Sequence, residues 1–128
     1  MKEKLPRPTD AELEILTVLW SLGACTVREI HEKICQRKSA QYSTVLKFLQ
    51  IMAEKGLVRR DEEQRAHIYE AAMPREWTQR QLAGDLLQRA FNGSAKSLMV
   101  GALSARKTSK KELAELHKLL DEYGKGAR

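Results

Sequence analysis

Ser43, Thr44, Lys47 and Gln50 lie in one stretch, QYSTVLKFLQIMAEKGLVRR, which runs from Gln41 to Arg60. Two hydroxyls, an ammonium and a carboxamide are the donors that suit phosphate oxygens and base edges. Short side chains such as Ser43 and Thr44 at a helix start let the backbone approach a phosphate, helped by N–H groups and the helix dipole. One turn later, Lys47 reaches a guanine edge or a phosphate, and Gln50 can pair bidentately with an adenine edge. Arg59, Arg60 and Arg65 suit backbone contacts beside a groove. Each residue alone has a plainer reading: Ser43 as an N-cap, Lys47 and Gln50 as a solvated face. Their gathering on one helix, next to a basic hairpin, favours a binding face.

Other chemistry has less support. His31, His67 and His117 fall in separate segments, and none sits beside a Cys or Ser in a nucleophile pattern. No glycine-rich phosphate loop, H-E-x-x-H or D-x-D cluster occurs, so no enzyme activity and no cofactor is expected. His31, on a polar helix face, is expected to be solvated. Cys25 and Cys35 are too few and too far apart for a disulfide framework or a zinc ribbon. Both are read as reduced, partly buried thiols, with no metal site.

The 128 residues are enough for one modest domain, or a small domain with an assembly segment. The net charge of +6 is unevenly placed. Residues 1–72 hold 12 Lys and Arg against 11 Asp and Glu, whereas residues 73–128 hold 11 against 6. The excess lies away from the helix of interest, so bulk charge carries little weight and local geometry must decide. No stretch approaches the roughly 20 apolar residues that span a bilayer. The segment MKEKLPRPTD lacks a signal peptide's apolar run, so a cytoplasmic protein with no membrane partner is expected.

The elements that position these residues follow from periodicity and caps. In TDAELEILTVLW, Thr9 and Glu12 have capping-box spacing; Leu13, Leu16 and Trp20 recur helically, and Gly23 stops the run. Thr26 and Glu29 repeat the box before a second helix whose buried stripe is Val27, Ile30 and Ile34. CQRKSAQ reads as a polar connection. A third helix over Tyr42–Lys55, with Gly56 as its C-cap, turns Val45, Phe48, Leu49 and Met52 inward. Ser43, Lys47, Gln50 and Glu54 fall opposite. LVRRD and AHIYEA read as two strands joined by EEQR.

Beyond Pro74 the pattern is wholly helical. Leu82, Leu86 and Ala90 share one side of a helix that NGS ends, and AKSLMVGALSA is a short apolar helix. SKKELAELHKLLDEYG opens on a third box, Ser109 and Glu112, and ends at Gly124. Its Leu113, Leu116, Leu120 and Tyr123 are spaced like coiled-coil a and d positions. An exposed leucine seam ordinarily has another chain over it. The expected fold is mainly α: a winged helix-turn-helix over residues 1–73, of three helices and a small β-hairpin, then a helical dimerisation region over residues 74–128. Leu82, Leu86, Leu113, Leu116, Leu120 and Tyr123 are the candidate dimer contacts. Such a module lays its last helix in the DNA major groove.

Read together, TDAELEILTVLW, YSTVLKFLQIMAEKGLVRR, IYEA and FNGS with its apolar and leucine-rich helices resemble the penicillinase-repressor family (the BlaI/MecI/CopY type) from about Thr9 to Tyr123. The resemblance implies a homodimeric repressor on palindromic operators of resistance or stress genes. It puts Ser43, Thr44 and Lys47 at base-reading positions, Arg65 in the wing, and the dimer contacts in residues 75–123. Two departures stand out. Antibiotic-responsive members are induced when a sensor-protease cuts an Asn-Phe bond in the short apolar helix. The corresponding residues here are Gly101 and Ala102, so that same protease is not expected to cut, although another could. Copper-responsive members carry C-x-C pairs near the C-terminus, and no Cys follows Cys35. A competing reading is a winged-helix module that docks a protein partner; Glu62, Glu63 and the near-neutral N-terminal half support it.

Overall fold

The computed structural model describes residues 6–63 and 65–126. In order, the elements are α1 (Asp10–Leu22), β1 (Cys25–Thr26), α2 (Val27–Cys35), α3 (Tyr42–Lys55), β2 (Val58–Asp61), β3 (Ile68–Ala71), α4 (Arg75–Ala90), α5 (Ala95–Ala105) and α6 (Lys110–Gly126). The chain divides into two compact units, Met1–Leu82 and Ala83–Arg128, and α4 runs through the division. The first unit has the three helices and antiparallel sheet of a winged helix-turn-helix.

Capping chemistry sets where its helices begin. In α1 the Thr9 hydroxyl accepts from the Glu12 N–H at 3.2 Å, while the Glu12 carboxylate accepts from the Thr9 N–H at 3.0 Å. Thr26 and Glu29 repeat the arrangement at α2, at 3.2 and 2.8 Å. Gly23 and Gly56 close α1 and α3 with φ of +82° and +84°, values that an L side chain reaches only with strain.

α1, α2 and α3 enclose Ile15, Leu16, Leu19, Ile30, Ile34, Val45, Leu49 and Met52. Leu49, Met52 and Tyr69 are 0% exposed. Fully burying such a side chain contributes about 1.5–3 kcal/mol. The inner face of α1 is centred on Ile15, Leu16 and Leu19; Leu13 and Trp20, expected in its stripe, are half-buried. Trp20 borders the core instead, and its indole N–H donates to the Met73 carbonyl at 3.0 Å.

The sheet has one strand more than the hairpin expected. β1 pairs antiparallel with β3, matching Cys25 to Tyr69 and Thr26 to Ile68, so the order is β1-β3-β2. β3 therefore lies between β1 and β2 and ties the wing to the start of α2. In the wing, Arg59 faces Glu70 and Arg60 faces Tyr69. Gln64, part of the expected EEQR turn, lies outside the described residues, as does MKEKL at the start of the sequence.

The second unit is built differently. α5 and α6 hold no buried residue, and the only one on α4 is Thr78, which belongs to the first unit. Asn92 and Gly93 take positive φ between α4 and α5, and Ser94 caps α5 by accepting from the Ser97 N–H at 3.0 Å. α6 does not end at Gly124 as expected but continues to Gly126. Gly124 does not adopt the left-handed conformation that would close the helix. No helix among the described residues is long and apolar enough to cross a membrane.

Candidate nucleic-acid interface

α3 carries the polar row. At about 100° per residue, Ser43, Lys47, Gln50 and Glu54 share an arc of roughly 60°, with Thr44 on its flank. All five are exposed, while Val45, Leu49 and Met52 on the far side are buried. The helix is thus fastened by one side and open on the other. Its N-cap is Gln41, which makes no side-chain cap bond, so Ser43 is not the cap that its plainer reading required. No acidic residue occupies the first turn, leaving the positive end of the dipole uncompensated. Glu54 closes the row at the other end and would repel a phosphate there.

Two ties hold α3 in place. The first is the Lys55 ammonium, which donates to the Glu12 carboxylate at 2.8 Å. Glu12 is 2% exposed and also caps α1, so one carboxylate joins the start of α1 to the end of α3. Burial alone would raise its pKa, but hydrogen bonds from Lys55 and the Thr9 N–H, with the Lys55 charge, outweigh that and hold it below the usual value. The second tie is at the other end of α3. His31 Nε2 lies 2.8 Å from the Ala40 carbonyl, and the His31 ring meets that of Tyr42 edge-on with centroids 5.7 Å apart.

These contacts correct two expectations. His31 is not simply solvated; it is half-buried and packed against the start of α3. The thiols also differ, since Cys25 is buried in the sheet and Cys35 is exposed. Burial, with Glu29 nearby, pushes the Cys25 thiol up to about 11, which keeps it protonated and inert.

The wing arginines do not act as one group. Successive strand residues point to opposite faces, so Arg59 and Arg60 cannot both face the same surface. Arg59 pairs with Glu70 at 3.3 Å and donates to the Ala72 carbonyl at 3.3 Å. Arg60 pairs with Glu62, and the Tyr69 phenol beside it, with that carboxylate, raises the guanidinium pKa. Arg65 is exposed in the turn. Residues passed over in the sequence also border the face. Arg37 and Lys38, in the α2–α3 connection, reach back to Glu14 at 3.7 and 3.0 Å. Tyr42, the first residue of α3, is 47% exposed. A basic pair and an aromatic beside a helix start were the available signal.

A family model described as penicillinase repressor matches residues 8–122. Over 121 residues the chain is 24% identical to a penicillinase repressor of Bacillus licheniformis, covering 94% of each. It is 35% identical over 99 residues to a transcriptional regulator, BlaI, of Mycobacterium tuberculosis, covering 76% of this chain and 72% of that protein. The chain is similar to the solution structure of the Bacillus licheniformis BlaI monomeric form in complex with the blaP half-operator. The TM-score is 0.50 at 23% identity, over 57% of this chain and 89% of that one. The relatives are repressors and regulators of transcription, not enzymes. With almost its whole length matched, the chain belongs to the penicillinase repressor family.

Proposed function

We propose that the protein is a cytoplasmic, homodimeric transcriptional repressor that binds a palindromic double-stranded operator, reading each half-site with α3. The observation that carries this reading is the exposed row of Ser43, Lys47 and Gln50, with no acid in the first turn, on a helix whose other side is locked into the core. A structural neighbour is named as a complex with a half-operator, in keeping with one reading helix per half-site. Ser43 and Thr44 meet the backbone, while Lys47 and Gln50 reach base edges. Glu54 confines the contact to the first turns of α3. Arg65 and one of Arg59 and Arg60 hold the flanking phosphates.

The dimer reading rests on α4–α6, where no apolar residue is fully buried and several are left exposed. Leu86 is 47% exposed, Leu113 43%, Leu120 63% and Tyr123 73%. Leu82 and Leu116 are half-buried and continue the same faces. The regulated genes are those of resistance or stress, by family relationship alone. Release by proteolysis would act on α5 at Gly101–Ala102, in a helix that holds no fully buried residue.

Gel-shift titration against genomic fragments at two salt concentrations tests the reading. Each neutralised phosphate steepens the fall of affinity with salt, so a specific, salt-sensitive shift is expected. Acidic groups in and beside the wing, Asp61, Glu62, Glu63 and Glu70, favour a second reading in which the module docks a protein. A chain that shifts no fragment at either salt would refute the first reading and favour the second.

A further inference from the structure

Three heteroatoms converge where α2 ends and the chain turns toward α3. His31 Nε2 is 2.8 Å from the Ala40 carbonyl oxygen. Cys35 Sγ is 3.3 Å from that nitrogen and 3.5 Å from that oxygen. With the imidazole protonated at Nε2, the Ala40 carbonyl uses its two lone pairs to accept from the ring N–H and from the Cys35 thiol. A cation binding here would displace the thiol proton, shift the imidazole proton to Nδ1 and draw on the three heteroatoms that these bonds already gather.

The spacing fits such an ion. Zinc bonds of about 2.0–2.1 Å to nitrogen, 2.0–2.2 Å to oxygen and 2.3 Å to sulfur set ligand pairs roughly 3.0–3.6 Å apart at angles of 90–110°. The two separations that involve sulfur already lie in that range, and the His31–Ala40 distance needs to open by only a few tenths of an ångström. His31 and Cys35 are four residues apart on one helix, so their side chains share a face before any ion arrives. Cys35 is exposed, giving the ion a way in, and the Tyr42 ring braces the imidazole.

We propose that His31, Cys35 and the Ala40 carbonyl form a site for one borderline thiophilic divalent cation, zinc being the type. An imidazole with a thiolate selects such ions over magnesium or calcium, which require oxygen ligands. On binding, the S–H bond breaks, the sulfur–metal bond forms and the proton passes to solvent. Three protein ligands leave a further coordination position open. The oxygen ligand comes from the residue before Gln41, the N-cap of α3, so an occupied site clamps the end of α2 to the start of that helix.

Cobalt titration of the reduced full-length protein tests the site, because a thiolate bound to cobalt absorbs by charge transfer. One cobalt per chain is expected, displaceable by zinc, with circular dichroism confirming that each variant is folded. Cys35→Ser should abolish the band. His31→Ala should weaken cobalt binding at least about tenfold, the loss caused even by removing outer-shell partners. Absence of the band in the unaltered protein would overturn the proposal, as would its survival in Cys35→Ser. Unchanged affinity in His31→Ala would overturn it too, by leaving a solitary thiol.

Discussion

Lys47 and Cys35 show how much a side chain's meaning depends on what surrounds it. Lys47 projects from the centre of the polar row of α3, one turn from Ser43 and one from Gln50, and has no core to support. Its loss should therefore leave folding intact and act on DNA alone. Lys47→Ala is expected to weaken operator binding by about 1–3 kcal/mol if it reads a base. Filter or gel-shift titrations on operator and on random DNA check this, since equal losses on both would reassign Lys47 to phosphate contact. The row was legible in the sequence because helical periodicity alone separates it from Val45, Leu49 and Met52. The approach of the Ala40 carbonyl to Cys35 and His31 was not, since it forms only when the connection turns back over α2. The opposed directions of Arg59 and Arg60 were implicit in their adjacency on a strand, though grouping them by charge hid it.

In the first unit helix limits followed the sequence where a cap declared them, whereas α6 ran past Gly124. Thr9 with Glu12, Thr26 with Glu29, and Gly56 each bond as their spacing implied. β1 went unread because a two-residue strand has no periodicity, and its existence depends on β3 arriving from far along the chain. The Glu12–Lys55 pair escaped for the same reason: in the sequence, Glu12 reads only as a cap. Its dual role gives a pH prediction. A carboxylate whose folded pKa lies below its unfolded value contributes stability that is present above the unfolded pKa and lost as pH falls through the folded one. Thermal midpoints should therefore decline as pH drops below about 4.5, and Glu12→Gln should flatten that decline. Glu12→Ala at neutral pH should cost about 2–3 kcal/mol, the loss of a charged hydrogen bond and a cap together, measurable by urea unfolding. Because Lys55 ends α3, the same variant should weaken operator binding beyond its fraction unfolded.

For the whole molecule, the contrast between the two units governs behaviour. The first has a closed core, while α5 and α6 hold no fully buried residue. Leu120 is 63% exposed, so Leu120→Lys should disturb the protomer little, and with Leu113→Lys it should yield a folded monomer in sedimentation analysis. Losing the second half-site should cost that monomer roughly 10²–10⁴ in operator affinity. A double variant that still sediments as a dimer would place the interface elsewhere. The heptad spacing of Leu113, Leu116, Leu120 and Tyr123 is what put a seam there in the sequence, and the structure leaves Leu113, Leu120 and Tyr123 exposed.

The bare surfaces of α5 and α6 also bear on how long each molecule lasts. Helices without a core open easily, so an unpaired chain offers them to cellular proteases while a paired one shields them. If the chain pairs as proposed, degradation would fall mainly on the monomer, and pairing would become a condition of survival as well as of binding. As synthesis drops, the population would collapse faster than in proportion, making repression a steep function of dosage.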